Sequence, residues 1–336
     1  MNKNQNFIAG ITMGCPAGIG PQIILKGFKK KLLKYENTVV FGDLDILEFY
    51  NKKFGYKLSF NIFQDVHDNL RNILSDKKIN IIDFTNCDLK KLEFGSSSAR
   101  AGKASLDYIV CAVDCAKKKI IDAVVTCPIN KDAIHKAGAD YPGHTELLAD
   151  LTGCDNFGMM LAGKYLRVLL VTTHIGIKEI PFKLSERKVV DTIILAHNSL
   201  KNDFGIVKPR IAVLSLNPHC GENGLFGDEE KKIIEPAVKK AAAKRINVSG
   251  PFSPDTLFPK VENNFDCVVC MYHDQGLIPL KMLAFGAGVN ITLGLPIVRT
   301  SVDHGTAYDI VKKNTADCGS LVEAVKTALK ISKNRK

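Results

Sequence analysis

Three short apolar runs in this 336-residue chain each stop at a histidine: Arg167 to Thr173 before His174, Arg210 to Pro218 before His219, and Cys267 to Tyr272 before His273. Short β-branched runs closed by Gly, Pro, Asn or Asp predict buried strands, so each imidazole would stand at a strand's carboxyl end. That edge is where open α/β sheets place their chemistry. If the three strands are neighbours, three neutral imidazoles converge on a divalent cation and leave coordination positions open for a substrate, as in a catalytic site. The alternative is three unrelated loop histidines; one local setting repeated three times favours the site.

The densest polar region follows the third histidine. His273-Asp274-Gln275-Gly276 runs on to Lys281, then Gly288-Val289-Asn290-Ile291-Thr292, then Arg299-Thr300-Ser301-Val302-Asp303-His304-Gly305-Thr306-Ala307. This pattern reads as loops, which carry function more often than packing. Arg299 can clamp an anion with two N–H groups, and Lys281, desolvated beside a metal, could exchange protons near neutral pH. Each alone also suits a surface salt bridge. Tyr141-Pro142-Gly143-His144-Thr145-Glu146 opens a short helix, where unpaired amides would favour a phosphate or carboxylate beside His144 and Thr145. Capping by Thr145 explains that residue equally well. Gly14-Cys15-Pro16-Ala17-Gly18-Ile19-Gly20-Pro21 joins a strand to a helix, either as a tight turn or with amides against an anion. It has neither dinucleotide-fingerprint nor Walker spacing. Asn217-Pro218-His219-Cys220-Gly221-Glu222 is too rich in turn formers for a core, and Gly221 lets backbone approach a ligand.

Strands and helices alternate around these residues. Apolar runs predict strands at 7–13, 38–41, 79–84, 123–127, 166–173, 211–216, 267–272 and 289–292, and amphipathic spacing predicts helices at 20–34, 101–119, 185–202, 228–244 and 321–332. This is an α/β architecture. A turn-forming Cys127-Pro128-Ile129-Asn130 marks a boundary, giving one domain from 1–128 plus 291–336 and another from 129–290.

Composition narrows the function. The chain is 46% hydrophobic, mean hydropathy is +0.01, and no apolar stretch approaches the roughly 18 residues of a membrane span. The start, Met1-Asn2-Lys3-Asn4-Gln5-Asn6, leads toward a strand rather than a signal-peptide core, which places the protein in the cytoplasm. Ten scattered cysteines then read as buried thiols. Cys267 and Cys270 have metal-ligand spacing but fall within a strand, where residues three apart face opposite ways, and Cys111 and Cys115 suit helix packing. A net charge of +11 invites nucleic acid. The lysines, however, spread over several helices with no interleaved aromatics, as on a solvated surface, so no nucleic-acid partner is expected. The positive field still attracts a small anion.

Ordered motifs over nearly the whole chain resemble one family. They are Gly-x-Pro-Ala-Gly-Ile-Gly-Pro at 14–21, Gly-His-Thr-Glu at 143–146, Thr-His at 173–174, Asn-Pro-His-x-Gly-Glu at 217–222, Asp-Thr-Leu-Phe at 255–258, Tyr-His-Asp-Gln-Gly at 272–276, and Gly-Val-Asn-Ile-Thr-x-Gly-Leu-Pro-x-x-Arg-Thr-Ser-x-Asp-His-Gly-Thr-Ala at 288–307. The set is similar to the 4-hydroxythreonine-4-phosphate dehydrogenases of pyridoxal phosphate biosynthesis. The resemblance implies an isocitrate/isopropylmalate dehydrogenase-like fold, two α/β domains with an interdomain cleft, and a homodimer with its active site at the subunit interface.

It further implies oxidation of 4-phosphooxy-L-threonine by NAD or NADP to a 3-keto acid that decarboxylates to 3-amino-2-oxopropyl phosphate. His174, His219 and His273 match metal ligands, with His273 supplied by the partner subunit, for one ion of zinc, magnesium, cobalt or manganese. His144, Thr145, Lys281, Asn290 and Arg299 match substrate-binding positions. His304, Gly305, Thr306 and Ala307 resemble an adenosine-contacting cofactor loop, and Lys281 or Asp274 is the expected proton-transfer group. Cys15 and Gln22 stand where the family carries acidic residues. Some stretches, including 141–144 and 223–228, look more like relatives that oxidise 4-phospho-D-threonate or 4-phospho-D-erythronate. A metal-dependent phosphohydrolase or aldolase would also want three histidines, but not the His304 loop.

Overall fold

The computed structural model describes residues 7–284 and 288–336; the Met1–Asn6 segment weighed as a signal peptide lies outside them. The strands are β1 Ala9–Thr12, β2 Thr38–Gly42, β3 Phe60–Phe63, β4 Ile79–Asp83, β5 Ala123–Thr126, β6 Gly158–Ala162, β7 Arg167–Leu170, β8 Ile211–Leu214, β9 Val248–Phe252, β10 Cys267–Cys270, β11 Val289–Leu293 and β12 Val298–Val302. The chain divides into two compact α/β units, one of Met1–Asp155 with Leu295–Asn334, the other of Asn156–Gly294.

The boundary expected at 128/129 therefore falls after Asp155, and the return expected at 291 falls at Leu295. Packing explains the first difference. The helix Lys131–Lys136, capped by Asn130, lies against the helix Ala99–Lys117 so closely that a β-carbon on Gly102 would stand 1.9 Å from the Ala133 carbonyl oxygen. The next helix, His144–Thr152, also contacts Ala99–Lys117, so both remain with the first unit.

The first unit orders its strands β3-β4-β2-β1-β5-β12, all parallel. Every residue of β1, β2, β5 and β12 is buried, as a parallel sheet covered on both faces requires. The second orders them β11-β6-β7-β10-β8-β9. Its β7, β10 and β8 are adjacent and parallel, with Val268 opposite both Val168 and Ala212. The three histidine-terminated strands are thus neighbours whose carboxyl ends share one edge. Beneath that edge, Val168, Leu170, Ala212, Leu214, Val268 and Cys270 pack with Leu257, Leu277 and Leu280 into one core.

Two local readings change. The segment after His273, expected as loop, is a helix, His273–Ala284. Leu277 and Leu280 bury against the sheet one turn apart, while Gly276 and Pro279 hide that periodicity in the sequence. The expected helix 228–244 begins as a π-helical turn, Glu230–Ile234, before the α-helix Glu235–Ala243. Among the described residues no helix is long and apolar enough to cross a membrane.

Candidate functional site

In the second unit the strand ends are bolted together by side chains. Gln275, 7% exposed, accepts from the Met271 N–H and donates to the Ser215 carbonyl, each at 2.7 Å, bridging the ends of β10 and β8. Thr172 bridges β7 to β10: its N–H and its hydroxyl both donate to the Met271 carbonyl, at 3.1 and 2.6 Å. The His174 and His273 rings lie 5.9 Å apart between centroids. His273 Nδ1 is 2.7 Å from the Asp274 carboxylate, an arrangement that fixes the tautomer and leaves Nε2 with its lone pair free for a cation.

This donor chemistry fits a divalent ion, but one chain does not complete the set. Among the described residues no group of three or more His, Cys, Asp or Glu side chains could hold a metal. The convergence of all three imidazoles expected from the sequence is therefore not seen within a single chain. His174 and His273 meet, while His219 sits exposed on a separate turn. That turn is unusual: His219, Cys220, Gly221, Glu222 and Asn223 all have positive φ, from 40° to 75°. Left-handed backbone costs roughly 1–2 kcal/mol per non-glycine residue, so neighbours must hold it. The buried Glu230 lies against this segment, accepting the N–H groups of Leu216 and Asn217 just ahead of the run, each at 2.8 Å. Sequence reasoning missed Glu230; the available signal was an acid in register with the apolar Ile234, Ala237 and Ala241.

Lys281 is exposed near the end of its helix, not desolvated as expected, and Asp274 engages His273. On β11, Asn290 Oδ1 is shielded from solvent and accepts no hydrogen bond from the described residues, leaving a polar atom turned to a ligand-sized task.

The first unit gathers a different chemistry. Arg299 on β12 is 2% exposed and donates from Nη2 to the Thr126 hydroxyl at 2.8 Å. Burial pulls its guanidinium down to about 9, with the Glu146 charge opposing. His144 begins the helix His144–Thr152, and the cap position is Gly143 with no side-chain cap, so Thr145 is not the cap. His144 Nε2 and Glu146 Oε2 are enclosed without hydrogen-bond partners. Burial, with a further push from Arg299, holds His144 well below 6.5. A neutral imidazole, a buried guanidinium and a helix amino end are groups able to bind an anion such as phosphate, and the enclosed Glu146 carboxylate lies among them.

The 304–307 stretch follows β12. His304 Nδ1 lies 3.1 Å from the Gly305 carbonyl while its Nε2 is enclosed without a partner. Gly305 has open space where a side chain would stand. The Thr306 carbonyl accepts the Ile19 N–H at 3.1 Å, and Tyr308 pairs with the Cys15 thiol at 3.2 Å. The 14–21 loop is thus a tight turn, because the N–H groups of Cys15, Gly18 and Ile19 are spent on Pro128, Cys15 and Thr306 carbonyls. Gln22 is buried and donates to the Val311 carbonyl, a contact a carboxylate could not make. Cys267 and Cys270 are buried, and burial pushes both thiols up, Cys267 to about 12, so neither is a ready metal ligand.

The buried imidazole makes a prediction. His144 has a depressed folded-state value, so the unfolded chain binds the extra proton. Its stabilisation is complete above 6.5 and is lost as pH falls below that value. Histidine NMR between pH 5.5 and 8 should show a His144 ring that stays neutral; a titration at the ordinary imidazole value would contradict the enclosed site.

The chain matches the family model "Pyridoxal phosphate biosynthetic protein PdxA" over residues 34–328. It is 47% identical to 4-hydroxythreonine-4-phosphate dehydrogenase of Desulforapulum autotrophicum, covering 98% of this chain and 96% of that one. It is 44% identical to D-threonate 4-phosphate dehydrogenase of Cupriavidus necator, with 98% of each covered. The crystal structure of 4-hydroxythreonine-4-phosphate dehydrogenase from Klebsiella pneumoniae superposes with a TM-score of 0.88 at 40% identity, covering 99% of each chain. Matches over nearly the whole chain to dehydrogenases of known structure and sequence make the chain a member of the PdxA family of pyridoxal phosphate biosynthetic proteins.

Proposed function

We propose that this chain oxidises 4-phosphooxy-L-threonine with NAD or NADP, in the cytoplasm, giving a 3-keto acid that loses carbon dioxide to leave 3-amino-2-oxopropyl phosphate. The observation that carries the reading is the edge shared by β7, β10 and β8, where His174 and His273 meet at the ends of adjacent parallel strands. His174, His219 and His273 are the residues that would hold a divalent ion, zinc, cobalt, manganese or magnesium. When bound, such an ion would supply Lewis acidity to the substrate hydroxyl and to the negative charge that develops on decarboxylation. The family resemblance makes the ion site a shared one in a homodimer, in which His174 and His219 of one chain would meet His273 of the partner subunit rather than the His273 that lies beside His174 in the same chain.

The chain's own groups do the rest. Asp274 holds the His273 ring in one tautomer. His144, kept neutral, Thr145 and the Arg299 fork bind the phosphate, where a fully charged, buried guanidinium is stabilised by the incoming anion. Asn290 offers its enclosed Oδ1 to a substrate hydroxyl or amine. Lys281, exposed in the isolated chain, contacts substrate and moves the proton once the dimer covers it. His304, Gly305, Thr306 and Ala307 line the nicotinamide cofactor.

A second reading is oxidation of 4-phospho-D-threonate. The Tyr141-Pro142-Gly143-His144 stretch favours it, and the Tyr141 hydroxyl donates to Asp150 at 2.6 Å, fixing the approach to His144. Metal-replenished protein is to be given NAD or NADP with each compound while reduced-nicotinamide absorbance and carbon dioxide are followed. Turnover of 4-phosphooxy-L-threonine with one carbon dioxide per reduced cofactor is the expected result. Preference for 4-phospho-D-threonate would establish the second reading, and silence with both would overturn the dehydrogenase assignment.

Subunit sharing has its own test. His174→Ala and His273→Ala chains, each inactive alone, should regain about a quarter of wild-type activity when mixed, since random two-fold pairing leaves one intact site in half of the dimers. No recovery would mean that His174 and His273 of the same chain serve one site and would overturn the supply of His273 by the partner subunit.

A further inference from the structure

We propose that Glu230 is the positioning residue for His219, holding the left-handed turn in the one backbone path that presents this imidazole to a cation. The inference rests on the reading of His219 as an ion ligand.

Glu230 is 1% exposed and begins the π-helical turn Glu230–Ile234; such turns recur at functional sites. Its Oε1 accepts the Leu216 and Asn217 N–H groups, both at 2.8 Å, and its Oε2 accepts Asn217 Nδ2 at 2.9 Å. Three donors therefore converge on one carboxylate immediately before Pro218 and His219. The turn also closes over the acid, since a β-carbon on Gly221 would stand 2.7 Å from Glu230 Oε2. At the far end Lys231 Nζ donates to the Asn223 carbonyl at 2.6 Å, so consecutive residues of one element grip both ends of the strained run. An ionised carboxylate only accepts, and both oxygens are used that way here. A glutamine has nearly the same shape, yet it would set an NH2 group against one of those donors and release the turn. With its oxygens engaged by Leu216 and Asn217, Glu230 acts through His219 rather than as a ligand itself.

Co2+ titrated into the metal-free full-length protein, read from its d–d absorption, separates this role from simple scaffolding. Glu230→Gln should weaken Co2+ binding about 10- to 100-fold, the usual cost of losing an outer support of a ligand. His219→Ala should weaken it at least as much, and the double variant no further than His219→Ala alone. Additive losses, or wild-type affinity in folded Glu230→Gln, would overturn the positioning role. Wild-type affinity in His219→Ala would instead sink the ligand reading and this inference with it. If Glu230→Gln does not fold, Asn217→Ala removes one donor and keeps two; it should weaken Co2+ about 3- to 10-fold, and unchanged affinity would count against the proposal.

Discussion

The parallel hydrogen bonding of β10 between β7 and β8 is the constraint on which the second unit depends. Val268 faces Val168 on one side and Ala212 on the other, so three strands that are far apart in sequence must end together. Parallel strands cannot be joined by tight turns, and each therefore needs a crossover of many residues. His174, His219 and His273 stand roughly fifty residues apart for that reason. Core packing secures the arrangement, and Gln275 and Thr172 tie the ends where the ladder gives out.

Both units place polar groups in surroundings dry enough to make them costly unless they are used. An unmatched buried acceptor or donor costs about 1–3 kcal/mol. His144 Nε2, Glu146 Oε2, Asn290 Oδ1 and His304 Nε2 are all enclosed without partners, and each lies in or beside a stretch that carries the family's motifs. A fold does not retain several such atoms for stability. In the proposed site these are the atoms that a bound substrate or cofactor would satisfy, as in pre-organised sites.

The sequence was most legible where physics is one-dimensional. Continuous apolar runs made β7, β8 and β10 readable because strands buried on both faces show no alternation. The edge strand β9 was hidden by Gly250 and by Pro251, a residue that strands tolerate only at an edge or a bulge, and β12 by the polar Arg299, Thr300 and Ser301, which are nonetheless buried. The helix from His273 was obscured by Gly276 and Pro279. Motifs named the histidines, Arg299 and His144 directly. Glu230 showed only as an acid in register with the apolar Ile234, Ala237 and Ala241, and the bridging role of Gln275 was not legible, because a buried polar residue that ties two strand ends leaves no spacing of its own. The closed positions of the first loop were equally invisible, since backbone amides look alike in sequence whether they are free or spent.

The central claim is that three strand-end histidines together hold one divalent ion. Equilibrium Co2+ binding to the intact protein, with stoichiometry and affinity compared across His174→Ala, His219→Ala and His273→Ala, tests it most directly. The account predicts one ion per chain and a loss of at least tenfold in affinity for each replacement. An ion bound at full affinity after any one of the three is removed would contradict it.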